Sequence, residues 1–191
     1  MGRLSRPTLV TERLRLEPLT TDHTELLVEL DSDPAVQRFL RGRALAREEV
    51  LAQVPRRLRP EADAHRLGYW AGWADGAFLG WWCLIPDGPG DAPDDGRPVS
   101  AELGYRLRRD AWGHGYATEG ARALLDHAFR TVGLDRVWAE TMAVNTGSRG
   151  VMTKAGLRHV LTEVRQWDDP LPGWEEGEVR YEVDRASYLG G

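Results

Sequence analysis

Residues 99 to 144 restrict the fold more than any other part of the chain. There "VSAELGYRL" leads into "RRDAWGHGYATEGARALLDHAFRTVG", and "RVWAETMAV" follows. In the first run, Ala101, Leu103, Tyr105 and Leu107 fall on one side of an extended chain, with Glu102, Gly104 and Arg106 on the other. In the second, Ala121, Leu124, Leu125, Ala128, Phe129 and Val132 recur at helical spacing, and Gly133 supplies a stop. A strand, a helix and a second strand in that order predict a right-handed crossover joining parallel strands.

The remaining elements build around that unit. "TLVTERLRLEPL" (8–19) alternates polar and apolar residues, as a half-buried strand does. Thr21 or Asp22 is placed to cap a helix carrying Leu26, Leu27 and Leu30, stopped near Asp33-Pro34. A second helix is expected over 47–58, with Pro55 ending or kinking it. Asp75-Gly76 between two aromatic runs reads as a tight hairpin. "PDGPGDAPDDGRP" (86–98) holds four prolines, three glycines and four aspartates, and reads as a solvated loop between strands. A short helix over "NTGSRGVMTKAGL" ending at Gly156 and two closing strands complete a mixed α/β fold, mostly antiparallel with one parallel pair. The 191 residues are expected to form a single domain, with no internal repeat.

Composition excludes several classes of function. The net charge of −5 argues against nucleic acid as the main partner. No run reaches the ~18 apolar residues of a membrane span, and the N-terminus has no apolar leader. Cys83 is the one cysteine, which indicates a reducing compartment and a cytoplasmic protein. It reads as a buried small hydrophobe before it reads as a nucleophile. Lys154 is the one lysine among 25 basic residues, a coding bias pointing to a GC-rich bacterial genome. The histidines show no metal-ligand spacing, and no metal is expected.

Gly113 and Gly115, between a strand and a helix, let backbone amides converge at the positive end of the helix dipole, a site for phosphate. The segment lacks the Gly-Lys-Ser/Thr ending of a P-loop, and Thr118 stands where a dinucleotide fingerprint needs its third glycine. A tight strand-to-helix turn with no ligand is the plain alternative.

"WGHGYATEG" resembles the acyl-CoA pyrophosphate loop of the GNAT acyltransferases, whose pattern Gln/Arg-x-x-Gly-x-Gly/Ala is met by Gly115 and Ala117, with Trp112 replacing the polar residue. Three further segments resemble the branch of that superfamily containing the ribosomal-protein N-terminal acetyltransferases. These are "TERLRL" with "DSDPAV", "AELGYRL", and "NTGSRGVMTKAGL", in which Asn145, Ser148, Val151, Lys154 and Gly156 match. Leu157 replaces an aromatic residue, and Gly147 and Gly150 loosen the short helix.

The resemblance implies transfer of an acetyl group from acetyl-CoA to an amine, either a protein N-terminus or a small-molecule amine. Succinyl-CoA is an alternative donor, and a non-catalytic acyl-CoA-binding module is the alternative from another class. It implies a donor site made from Tyr105, Arg106 and Leu107 on the strand, and from Trp112, Gly113, His114, Gly115, Tyr116, Ala117 and Thr118 on the loop. Asn145 and Ser148 complete it. A backbone amide near 105–107 would face the thioester oxygen, where charge develops.

Glu102 is the candidate general base, its other reading being an exposed strand residue or an arginine's partner. Glu140 is a competitor for that role, and Glu119 reads as a favourable charge in the helix's first turn. Asn145 holds the pantetheine arm or caps its helix. Ser148 donates a hydrogen bond to the leaving thiolate or is a plain helix serine. His114 reads equally as a phosphate contact and as an exposed loop residue. One of Trp81 and Trp82, which face opposite ways, is a candidate wall of an acceptor pocket. Homodimers occur in the family, and no segment marks an interface.

Overall fold

Asp75 and Gly76 turn the chain at φ 48° and 79°, both left-handed, and this two-residue turn closes the hairpin of aromatic strands. In the computed structural model, which describes residues 6–58, 60–87 and 98–190, that hairpin sits within an eight-stranded sheet. The strands are β1 Leu9–Val10, β2 Arg15–Pro18, β3 Gly68–Ala74, β4 Ala77–Pro86, β5 Ser100–Leu107, β6 Arg136–Met142, β7 Arg158–Glu163 and β8 Glu178–Asp184. The helices are α1 Thr24–Asp31, α2 Arg47–Leu58, α3 Pro60–Ala64, α4 Tyr116–Asp126, α5 Thr146–Ala155 and α6 Arg185–Gly190. Their spatial order is β1-β2-β3-β4-β5-β6-β8-β7, antiparallel at every pairing except β5 with β6.

Each face of the sheet buries its own core. Leu103 and Leu107 of β5 join Ala121, Leu124, Leu125, Ala128 and Phe129 of the following helix on one face. Leu27 and Leu30 of α1 pack with Val50 and Val54 of α2 on the other. Trp82 belongs to the first core and Trp81 to the second, as alternation requires. Trp82 lies between Gly72 and Gly120, and a Cβ on either glycine would overlap its indole. The strand hairpin and the crossover helix therefore meet through a slot cut for one ring.

Several expectations need correction. The stretch 8–19 is two strands, because the Thr11 hydroxyl takes the Leu14 amide at 2.9 Å and folds 11–14 into a turn. Thr20, one residue earlier than expected, caps the first helical turn through a reciprocal pairing with His23. Pro55 lies inside α2 without ending it. The end of the crossover helix, His127–Val132, widens into a π-helical turn before Gly133, and α6 was not foreseen. The short helix expected before Gly156 is α5, which contains Gly147 and Gly150. Most of the acidic loop, residues 88–97, lies outside the described residues.

Candidate active site

A 3-10 turn, Arg109–Ala111, carries the chain from β5 to the glycine loop. Gly113 and Gly115 have φ of 78° and 84°, a region that side chains with a Cβ seldom enter. Gly115 is the N-cap of α4, and the helix's first internal bond runs from the Glu119 amide to its carbonyl at 3.0 Å. The amides of Tyr116, Ala117 and Thr118 therefore have no acceptor within the helix. A Cβ at Gly113 would meet nothing within 4 Å, so the space before the loop is open. Open space, converging amides and a helix dipole fit an anionic pyrophosphate.

Side chains brace the loop from behind. The Trp82 indole donates to the Ala117 carbonyl at 3.2 Å. Trp112 is 47% exposed, and its indole donates to the Leu107 carbonyl at 2.9 Å, capping the end of β5. The His114 ring is exposed and stacks on Tyr116 at 5.9 Å between centroids.

Beside the loop, β5 and β6 part company. Their register pairs only Ser100–Glu102 with Arg136–Trp138. The Arg108 amide donates to Leu79 and the Asp87 amide to Ser100, so the even-numbered residues of β5 turn their backbone groups to β4. Tyr105 and Leu107 thus present amides to the gap, whereas the Arg106 amide belongs to the β4 ladder. Its side chain also leaves the gap, donating to buried Asp31 at 2.6 Å and lying 5.0 Å over the Trp81 ring.

Glu102 is the last paired residue before the gap, half-buried opposite Ile85 and beside Trp138. Trp138, not Trp81 or Trp82, is the indole next to it; those two are buried in the cores. Trp138 is held by Asp87 at 2.9 Å and lies 4.0 Å below the Arg180 guanidinium. Both carboxylate oxygens of Glu140 are taken by Arg165. Burial and the neighbouring Glu140 charge push the Glu178 carboxyl above its ordinary value, with Arg165 opposing. Cys83 is buried, and burial together with the Glu102 charge drives its thiol far up, which leaves it inert.

Asn145 caps α5, accepting from the Ser148 amide at 3.2 Å and donating to Thr141 at 3.0 Å. The Tyr105 hydroxyl crosses from β5 to Ser148, 2.9 Å from its Oγ and 3.0 Å from its carbonyl. Burial raises the Tyr105 phenol, so it stays protonated. The structure therefore brings Ser148, Asn145 and Tyr105 together across the gap and sets Glu102 at its base.

Sequence reasoning passed over three residues. Arg13 is one of the polar positions in the alternating stretch 8–19, a pattern that does not show its hydrogen bond to the His114 carbonyl at 2.9 Å. Nothing in the sequence distinguishes Trp138 from the other tryptophans, and the resemblance points to the Tyr105 backbone rather than to its hydroxyl. Only the order of the strands in the sheet could have found them. Among the described residues, no cluster of three or more His, Cys, Asp or Glu side chains could hold a metal ion, and no helix is long and apolar enough to cross a membrane.

Residues 13–158 match the family model described as an acetyltransferase (GNAT) domain. The chain is 40% identical over 186 residues to an Aspergillus fumigatus protein named FsC-acetyl coenzyme A-N(2)-transacetylase, covering 97% of this chain and 79% of that one. A GNAT-family acetyltransferase structure from Bacillus anthracis superposes with a TM-score of 0.76 at 20% identity, over 94% of this chain and 99% of that one. A RimL ribosomal L7/L12 alpha-N-protein acetyltransferase in complex with coenzyme A gives 0.75 at 17%, over 93% and 97%. The loop that presents its amides, the parting of β5 from β6 and the family match agree, and the chain belongs to the GNAT acetyltransferases, which move an acetyl group from acetyl-CoA to an amine.

Proposed function

We propose that the chain acts as one acyltransferase domain whose acceptor is an N(2) amine of a compound in the class of FsC, rather than a protein N-terminus. The observation that carries this reading is the 40% identity across 97% of the chain to the fungal transacetylase. The ribosomal-protein branch rests on a relative at 17%. We assign the protein to the cytoplasm of a bacterial cell from its single buried cysteine and its arginine-biased composition. Self-association as a homodimer is part of the reading, and sedimentation tests it. No metal takes part.

The chemistry follows from the residues around the gap. An amine with a pKa near 10 is only about one-thousandth neutral at pH 7, so a base that removes its proton contributes directly to rate. Glu102 takes that proton, directly or through water. The Tyr105 and Leu107 amides face the gap, where a thioester oxygen gathers charge in the transition state. A thiol pKa of about 8.5 makes the thiolate a competent leaving group without full protonation. Ser148 stabilises it by donating a hydrogen bond. Asn145 orders the turn that holds Ser148, so its capping and site roles are one role.

Thiol release from acetyl-CoA, measured with N(2)-amine compounds, polyamines and N-terminal peptides, tests the acceptor. Turnover confined to peptides would overturn the assignment, and succinyl-CoA in parallel tests the donor. Glu102→Gln should abolish most turnover while leaving CoA affinity intact. Unchanged turnover would move the base elsewhere.

A further inference from the structure

Glu119 lies in the first turn of α4, close to where the loop offers its amides, and a carboxylate there competes with any anionic ligand for the same dipole. The neighbouring contacts show how that competition is relieved. Arg13, in the turn between β1 and β2, brings its Nη2 within 2.6 Å of Glu119 Oε2 and donates from Nε at 2.7 Å. Its backbone amide and the Thr11 hydroxyl take the other oxygen, at 3.0 and 2.6 Å. The Arg13 Nη1 also donates to the His114 carbonyl at 2.9 Å, and the guanidinium lies 4.7 Å over the Tyr116 ring. Its Nη2 stands 3.4 Å from the place a Cβ would occupy on Gly115.

One side chain therefore meets the loop at three successive points, all distant in sequence. With its hydrogen bonds engaged, Glu119 remains ionised, and its carboxyl is held below the ordinary value by Thr11 and Arg13 against the opposing effect of burial. The His114 carbonyl is the loop's own negative end. The Arg13 guanidinium engages that oxygen directly.

We propose that Arg13 is a positioning residue for acetyl-CoA binding, neutralising Glu119 and holding the His114 carbonyl so that the Gly113–Gly115 loop presents net positive potential to the pyrophosphate. This rests on the assignment of the loop to CoA. The pairing explains why a carboxylate is tolerated at an anion-binding helix start. It also gives the short β1–β2 turn a task in donor binding.

Calorimetric titration with CoA of the wild type, Arg13→Ala, Glu119→Gln and the double variant tests the proposal. Arg13→Ala should weaken binding on the order of tenfold, the scale of one charge at a helix terminus. Adding Glu119→Gln should recover much of that loss, because the uncompensated carboxylate is gone. A pair that merely tied two elements together would show no recovery, and a double variant as weak as Arg13→Ala overturns the proposal. So does unchanged binding by Arg13→Ala. Arg13→Lys, which keeps the charge and loses the fork, serves if the alanine variant does not fold, and its affinity should stay within about threefold of wild type. A tenfold loss there overturns neutralisation. Wild-type protein that binds no CoA would instead refute the loop assignment itself.

Discussion

The Tyr105 hydroxyl lies 2.9 Å from Ser148 Oγ and 3.0 Å from the Ser148 carbonyl, bridging a strand and a helix on opposite sides of the gap. The phenol has one proton to give. If it donates to Oγ, the serine hydrogen is free to turn toward the leaving sulfur. Tyr105→Phe removes this bridge without removing the ring. A net hydrogen bond of about 0.5–1.5 kcal/mol predicts a fall in kcat of roughly three- to tenfold, with KM for acetyl-CoA little changed. Steady-state kinetics at saturating acceptor decide it, and an equal rise in KM would assign Tyr105 to donor binding.

Gly115 starts α4 at φ 84°. Valine there must adopt a conformation costing on the order of 1–3 kcal/mol or shift the loop. Gly115→Val should raise KM for acetyl-CoA about tenfold or more, with thermal stability falling only modestly. Kinetics beside a melting curve check this. Unaltered KM would mean that the loop is only a turn.

Gly120 lies against Trp82, in the slot it shares with Gly72. Gly120→Ala removes the clearance for the indole, and the overpacking should cost about 1–3 kcal/mol despite the better helix propensity of alanine. Urea denaturation reads the change. Gly150→Ala is the matched contrast: a Cβ there meets nothing within 4 Å, and the same substitution in α5 should stabilise by about 0.5–1 kcal/mol.

His127 is buried, its Nε2 donating to the Arg66 carbonyl at 2.9 Å and its ring set edge-on to Trp70. Burial holds its pKa below the ordinary 6.5, with the Arg66 carbonyl opposing. Below pH 6.5 the unfolded chain takes up a proton that the folded chain refuses. Stability from this residue is full above that value and is lost as pH falls toward the depressed folded pKa. Chemical denaturation at about pH 7.5 and about pH 5.5 should show a larger loss for the wild type than for His127→Asn. Equal losses would place the titration elsewhere.

The hairpin at Asp75-Gly76, α2 and the crossover helix with its stop at Gly133 were readable because their signals are local. The turn at 11–14 was not, since a threonine hydroxyl that takes a backbone amide leaves no trace in an alternating pattern. Which β5 amides face the gap is fixed by the pairing of Arg108 with Leu79. That parity belongs to the partner strand, so Arg106 could not be told from its neighbours. Arg13 and Glu119 are 106 positions apart, and no periodicity connects them. The loop itself was legible because its glycines, the following helix and the downstream Asn145–Gly156 segment form a pattern along the chain.

The parting of β5 from β6 also bears on how the molecule holds together. The sheet changes partners there on three register pairs, and the backbone groups beyond them are left like the teeth of a half-closed zip. A donor whose amide-bearing arm entered that gap would act as a further short strand and fasten the two halves. Acetyl-CoA would then be a mechanical part of the enzyme for as long as it is bound, and the empty protein the looser of the two states.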